Sequence, residues 1–450
     1  MLLISVNPKR TQGKELDLKK SISQARLFLN FFNPKLAPIL GLAIFYCSSV
    51  FSITVTETLP YNVRASGLVY INSQTVTDTF NEKGRLEPLA GPLNQRLTMK
   101  DLVSRDPRLQ TLQNALNGFG PYALGDDLIS VDLKGDVKVS EQRQIIALLY
   151  GITDKFTLGF YLPVVQRTTE ATFSANVFKN TDNVRKALGQ IPKALMDALD
   201  EVDRANLGTD FFLNEIFYKN GYKAPGVSNR SGIGDLELES RYRFFRSRYF
   251  DSAFRFTGKF PTGDAKTDIA NIFDKPLGQG ALSFKAGAYA DTRIIPGLLS
   301  FNNALSVTVY EPSETLRAIR RDANSQLPNL NDPYQIERVK KNTGADLKFE
   351  SGLMVDFWKG ALNISTTYVY ESHGQDRYAG ARDLLYSTLS ENTSSRLHSL
   401  ETSLEFSSIP LYLDKKAPLP GKIVLTWNQP LGGQNIPLAA YGRVDLVLLF

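Results

Sequence analysis

The closing stretch "AYGRVDLVLLF" (440–450) carries the clearest sign of the fold. Reading back from Phe450, the alternate positions Leu448, Leu446, Val444, Gly442 and Ala440 are apolar or small, while Arg443 and Asp445 occupy the other face. A period of two makes this a strand. A strand that shows one oily face at a chain end is an open sheet edge, so it calls for a partner strand.

The same division runs through most of the chain. In "KFTLGFYLPVV" (155–165), Phe156, Leu158, Phe160, Leu162 and Val164 share a face, and the strand is joined to "QRQIIALLYGI" (142–152) by a tight turn at Thr153-Asp154. In "GDLELESRYRFF" (234–245), Leu236, Leu238, Tyr242 and Phe244 oppose Glu237, Glu239, Arg241 and Arg243. Phe254, Phe256 and Phe260 oppose Arg255 and Lys259, and Leu347, Phe349, Leu353, Val355 and Phe357 oppose Lys348, Glu350 and Asp356. Further on, Leu362, Ile364, Tyr368 and Tyr370 oppose Thr367 and Glu371, and Leu400, Leu404 and Phe406 oppose Glu401 and Glu405. One face wants oil and the other water.

A soluble sandwich produces the same alternation. Loop lengths separate the two. Short links near 152–155, 246–249, 292–297 and 358–360 alternate with long ones near 76–130, 168–232, 262–279, 311–343 and 373–396. Outer-membrane barrels have this asymmetry, with short periplasmic turns and long extracellular loops. Counting from the segment at 62–75 to that at 438–450 predicts an all-β, antiparallel transmembrane β-barrel of about 12 strands, an even number that returns both ends to the periplasm. The last strand then closes on the first, and Phe450 faces lipid at the interface girdle. Leu446, Leu448 and Phe450 resemble the C-terminal signal of bacterial outer-membrane proteins, which implies reading by the barrel assembly machinery.

Composition agrees with this class. The 450 residues are 42% hydrophobic with a mean hydropathy of −0.19. Past residue 60 no apolar run approaches the roughly 20 residues that a membrane helix needs, whereas barrel strands average out to ordinary hydropathy. The continuous apolar stretch "KLAPILGLAIFYCSSVFS" (35–52) reads as a secretory signal cut near Ser52, giving a leader over 1–52 and a barrel over 53–450. That leader holds seven basic residues against two acidic ones, most of the formal net charge of +6. The rest of the chain is near neutral and has no basic run, which argues against nucleic acid. The single cysteine, Cys47, falls inside the signal behind the bulky Tyr46, so the mature chain has neither disulfides nor thiolate chemistry.

Two long loops carry helical stripes. Val184, Leu188, Ile191, Leu195, Leu199 and Val202 recur at three and four, predicting an amphipathic helix over 182–204 that folds back over the barrel mouth as a gate. A weaker stripe runs through Leu97, Leu102, Val103, Leu109, Leu112 and Leu116, with Pro107 as a breaker.

The segments "GITDKFTLGFYLPVV" (151–165), "GIGDLELESRYRFF" (232–245) and "FRFTGKFPTGD" (254–264), in this order, resemble the outer-membrane barrels named for the meta-pathway of phenol degradation. That family is distantly similar to the long-chain fatty-acid channels. The resemblance spans 60–310, with strand rhythm alone beyond it. It implies passage of small, often hydrophobic solutes across the outer membrane. A long N-terminal plug like that of the fatty-acid channels is missing after the signal.

Chemistry finds little purchase. His373 and His398 lie at or near loops; His398 shares a face with Leu400, and Ser395 and Ser399 are generic partners for a lipid-facing hydrolase. Asp126-Asp127 reads as solvated loop carboxylates rather than a calcium site. "PTGDAKTD" (261–268) and "PLGQG" (276–280) lack the spacing of a phosphate loop. No metal or cofactor is expected. The remaining candidates line the lumen: Arg241, Arg243, Arg255, Lys259, Lys285, Lys348 and Arg443 against Glu237, Glu239, Glu350, Asp356, Glu371, Glu401, Glu405 and Asp445. Near-balanced charge predicts cross-strand ladders, in a filled interior or a pore. The reading is a monomeric barrel, set in outer-membrane lipid, that passes small solutes. The alternatives are an interaction barrel whose loops bind a surface partner, and an outer-membrane hydrolase.

Overall fold

The computed structural model describes residues 56–100, 107–118, 125–126, 128–189, 192–204, 208–322 and 327–450. The expected leader, with Cys47, lies outside the described residues, as do Ile191, Leu102, Val103 and Asp127. Twelve antiparallel strands form a closed ring in chain order. They are β1 (Arg64–Ser73), β2 (Ile129–Thr153), β3 (Phe156–Lys179), β4 (Leu236–Arg246), β5 (Phe250–Phe260) and β6 (Ser283–Ile295), followed by β7 (Leu299–Tyr310), β8 (Asp346–Asp356), β9 (Leu362–His373), β10 (Ser395–Ser407), β11 (Gly421–Gln434) and β12 (Tyr441–Leu449).

Closure settles the question raised by the last strand. β12 pairs with β1 from Ala65↔Leu449 to Ser73↔Tyr441. Arg64 and Phe450 then exchange both backbone hydrogen bonds, each with N···O of 2.9 Å. No edge is left at the seam. Leu446, Leu448 and Phe450 stand exposed on the outer face, Phe450 at 67%. Exposed residues of the same kind circle the ring: Leu68, Ile146, Leu158, Leu238, Phe254, Phe256, Leu305, Leu353, Ile364, Leu404 and Leu425. Arg241, Arg255, Glu405, Arg443 and Asp445 are buried on the inner face. Such an inside-out distribution belongs to a barrel solvated by lipid. Among the described residues no helix is long and apolar enough to cross a membrane.

The structure corrects three details. The β2–β3 turn is Asp154-Lys155, one residue later than the sequence suggests, because Thr153 pairs with Phe156 across a register shift at Gly151. The loop expected to start at 168 starts after Lys179: β2 and β3 run for 25 and 24 residues, well beyond the roughly 9–11 that cross a bilayer. Their outer halves remain strand because Val131, Leu133, Val137, Val139, Ala171 and Ala175 are buried in an apolar cluster above the rim. The helix expected over 182–204 is two, since Gly189 takes a φ of 64° and Pro192 lies just beyond it. Pro107 stands at the first position of a helix, where its missing N–H is harmless. Helices that contribute to this cluster include α1 (Pro107–Asn117), α2 (Thr181–Leu188), α3 (Lys193–Arg204) and α4 (Thr209–Ile216).

The apolar cluster is the one large core among the described residues, and it lies outside the membrane band. Leu93, Met99, Leu116, Leu199, Phe217 and Phe273 are fully or almost fully buried in it, with Leu327, Leu330 and Ala439 packed alongside. These residues come from the links after β1, β3, β5, β7 and β11. Loops rooted at such widely separated points of a ring can share a core only by meeting over the opening. They form a cap on the extracellular mouth.

Candidate functional site

The inner wall is organised in three levels, from the side of the short turns upward. At the lowest level the chain itself enters the lumen. The Thr56 backbone N–H donates to Asp291 Oδ2 on β6 at 3.0 Å, and its hydroxyl bonds the same carboxylate. Arg241 on β4 donates to the Glu57 carbonyl at 2.7 Å, and Lys422 on β11 to the Glu57 carboxylate at 2.8 Å. In a ring of twelve, β5 stands opposite β11, so this segment bridges the bore. Thr58 and Tyr61 fix it to Asp154 at 2.9 and 2.8 Å. Gly151 makes room: a Cβ there would stand 2.0 Å from the Pro60 carbonyl oxygen. The sequence holds no sign of a long plug, yet the short stretch preceding β1 occupies the periplasmic end.

The middle level is a charge ladder. Arg241 donates to Glu239 at 2.9 Å, and the Tyr161 hydroxyl reaches the same carboxylate at 3.4 Å. Lys259 pairs with Glu237 at 3.3 Å, and Lys348 lies 2.8 Å from Glu350 and 3.1 Å from Glu371. Arg255 covers the Tyr289 ring at 4.3 Å from its centroid. Lys285 lies within electrostatic reach of Glu239 and Glu350. Glu401 accepts from the Tyr441 hydroxyl at 2.7 Å and from Asn428 at 3.3 Å. Arg443 and Asp445 form a two-bond pair along β12, and Lys422 approaches Glu405 at 3.8 Å. Alternation puts these groups on one face, and closure then sets opposite charges beside each other.

Arg243 and Asp356 stand apart from the ladder. Arg243 donates to the Asp154 carbonyl at the β2–β3 turn, at 2.7 Å. Asp356 accepts from the backbone N–H groups of Trp358 and Gly360, at 3.0 and 2.8 Å, capping the β8–β9 turn. Both serve the periplasmic rim.

At the top level, Glu141 on β2 accepts from Arg143 at 2.9 Å and from Arg167 on β3 at 2.6 Å. Arg167 also donates at 3.1 Å to the carbonyl of Pro276, in the link after β5. Sequence reasoning passes over Glu141, Arg143 and Arg167, and also Glu57, Asp291 and Lys422. The first three alternate in register with Ile145 and Ala147 on the inner face of β2 and with Val165 on that of β3, a signal that lies within the strands as the sequence bounds them but beside their long apolar runs. The last three become visible only when the segment from Thr56 is seen inside the bore.

The stripe over 182–204 is divided in the same way. Val184, Leu195, Leu199 and Val202 are buried in the cap and Leu188 packs against it. The Arg185 guanidinium ties α2 to α3 through Asp200 and Asp203, at 2.7 and 2.6 Å.

The two histidines stand in different surroundings. His398 is on the outer face with Tyr370, its Nδ1 2.6 Å from the Tyr368 hydroxyl. Ser395 and Ser399 pair with His373 and Val369 and so face inward, away from it. His373 is clamped between Asp346 at 2.6 Å and Asp376 at 3.0 Å. Asp126 accepts from Gln113 and Asn117 of α1. Among the described residues no group of three metal-ligating side chains converges.

No family model matches the chain, and no curated protein matches it in sequence. Among solved structures it is similar to an outer membrane channel from Pseudomonas putida F1, with a TM-score of 0.51 at 11% identity, over 89% of this chain and 100% of that one. The toluene transporter TbuX of Ralstonia pickettii gives a TM-score of 0.31 at 9% identity over 87% and 90% of the two chains. The transport unit of the Escherichia coli autotransporter AIDA-I gives 0.35 at 8% over 91% and 96%. The first of these likenesses shows the fold: an outer-membrane-type β-barrel.

Proposed function

We propose that this chain is a monomeric outer-membrane channel for small solutes, hydrophobic or aromatic ones among them. The observation that carries the reading is the lumen. The periplasmic end is bridged by the chain's own segment from Thr56 and the extracellular end is roofed by loops, so the bore is closed at its ends by loop and terminal segments rather than by the ring itself. Between them lies a wall of compensated charge, which interacts weakly with any single passing solute because each group already has a partner. On this reading Glu237, Glu239, Arg241, Arg255, Lys259, Lys285, Lys348, Glu350, Glu371, Glu401, Glu405, Arg443 and Asp445 line the path, and Arg243 and Asp356 mark its exit. The α2–α3 pair is part of the gate, acting through the cap rather than as a lone helix.

Two supporting roles complete the reading. The exposed Leu446, Leu448 and Phe450 on the closing strand suit recognition by the assembly machinery. Catalysis is not part of it, since His398 and the nearby serines face opposite sides of the wall. One observation favours a partner-binding barrel as the second reading: an outer three-stranded sheet of Ser313–Ala318, Ile336–Asn342 and Arg377–Ala379 stands beside the cap.

Solute-swelling of liposomes that hold the purified protein distinguishes the two. Swelling in arabinose or in a small aromatic alcohol, absent from empty liposomes, supports the channel. Liposomes that stay tight while the protein retains its heat-modifiable barrel mobility would overturn it.

A further inference from the structure

We infer that the outward face of the small sheet above β7, β8 and β9 binds the phosphate groups of a phosphorylated glycolipid in the outer leaflet, through Arg338, Lys340 and Arg377 with Arg396 below them. The inference goes beyond the channel reading and does not depend on it.

The two faces of this sheet differ. Its strands, Ser313–Ala318, Ile336–Asn342 and Arg377–Ala379, follow β7, precede β8 and follow β9 in the chain, so they carry that part of the wall beyond the membrane band. One face is closed. Val339 and Ile319 are fully buried on it with Leu384, and Tyr378, Tyr386 and Leu389 pack alongside. Lys341 on that face holds Asp376 at 2.9 Å, and Asp376 meets His373, which stands with Asp346 on the inner face of the wall. The closed face therefore continues the inner wall. The open face continues the outer one.

Alternation puts Arg338 and Lys340 on the open face, where Asn342 pairs with Arg377 of the third strand. All three cations are exposed, and so is Arg396, paired with Ser372 on the outward register of β9 and β10. Among the described residues none of these four side chains has a hydrogen bond or an ion pair. The acids of the same region are turned away: Glu337 accepts from the Ala381 N–H at 2.7 Å and from the Tyr386 hydroxyl at 2.5 Å, and Asp376 is held by Lys341. Glu314, opposite Lys340 in register, is the one acid on the open face of these strands. Four cations against one carboxylate leave an uncompensated positive field, which phosphate groups complement.

Height selects the partner. Leu347, Ser372 and Arg396 are in register, so Arg396 stands level with the outward-facing Leu347 at the edge of the lipid band. Asn342 and Arg377 lie five residues beyond that level, and Lys340 and Arg338 lie seven and nine beyond it. With a rise of about 3.3 Å per residue and a tilt of about 40°, the cations climb from the lipid edge to ~20 Å above it. The polar layer of an ordinary bilayer is only about 5–8 Å deep on each side, so glycerophospholipid heads reach Arg396 alone. A sugar head that bears phosphates at several levels reaches them all.

The test measures binding to the full protein in a non-ionic detergent, so it can fail while the channel reading stands. A fluorescent bisphosphorylated glycolipid is titrated in, with its dephosphorylated form and phosphatidylglycerol as competitors. The wild type should bind it, and neither competitor should displace it at equal concentration. Arg338→Gln, Lys340→Gln and Arg377→Gln should each weaken binding about fivefold, and all three together about a hundredfold, as one cation near a lipid surface per substitution implies. Glu314→Gln should tighten it. Lys359→Gln, which removes an exposed cation at the β8–β9 turn on the opposite rim, should leave it unchanged. None of the three cations is bonded within the fold, so the variants should keep the heat-modifiable mobility of the barrel. Displacement by phosphatidylglycerol or by the dephosphorylated form as readily as by unlabelled bisphosphorylated glycolipid would overturn the site. So would a folded triple variant that binds as the wild type does, or Glu314→Gln weakening binding.

Discussion

The cap and the wall use the same side chains in opposite directions. In the cap Leu199 and Phe217 are wholly buried, as in a soluble protein, whereas in the wall Leu238 is 44% and Phe254 is 54% exposed. The difference lies in the solvent. Above the rim water surrounds the chain, so apolar area is stabilised by turning inward. Within the membrane band lipid is as apolar as leucine, so the wall can face it and the polar groups gather inside. β2 and β3 pass through both regimes. Leu148 and Leu158 point outward low on the hairpin, whereas Val131 and Ala175 point inward near its tip.

The largest effect that bears on this contrast belongs to the cap. Phe217 meets Phe173 of β3 edge to face, with ring centroids 5.9 Å apart. Phe217→Ala should cost the cap about 3–5 kcal/mol. Hydrogen exchange should then accelerate throughout 180–235 while the membrane strands keep their protection. Uniform acceleration of both would mean that cap and barrel are one cooperative unit.

The wall comes next. Leu238→Arg should destabilise the barrel by about 2–4 kcal/mol if its level is the bilayer midplane. Glu237→Gln, one residue away on the other face, loses only a partly exposed pair with Lys259 and should cost about 0–1 kcal/mol. Urea titration of folding into liposomes compares the two, and equal losses would mean that the faces are misassigned.

A smaller effect is expected at the periplasmic end. Gly151→Val should push the Leu59-Pro60 stretch off β2 without touching the ring, since the added side chain meets that backbone first. Protease added to the periplasmic side should then cut near 56–62 faster than in the wild type. An unchanged rate would show that the segment is not held by this contact.

Legibility in the sequence divides along the same line. The wall is legible because period-two alternation depends only on which face meets lipid, so the strand containing Leu238 and the one that runs into Phe450 are readable residue by residue. The alternation of inward charges such as Arg241, Arg255 and Asp445 is legible for the same reason. The extended tips of β2 and β3 are not, because residues such as Val131 and Ala171 are held in strand by a cap assembled from distant loops. The split of 182–204 is written locally in Gly189 and Pro192 but is outweighed by the regular stripe on either side. The segment from Thr56 carries no periodic pattern at all. Its place comes from pairing with Asp291, Arg241 and Lys422, which stand 235, 184 and 365 residues along the chain from their partners and are brought near by closure alone.

Single-channel recording in planar bilayers is the sharpest test of a capped channel, with the wild type compared against a variant lacking residues 182–204. Small, infrequent steps are expected from the wild type, and larger or longer openings once α2 and α3 no longer complete the cap. A variant that keeps its folded barrel mobility and yet passes no more current than the wild type, with neither conducting above an empty bilayer, would contradict the capped channel.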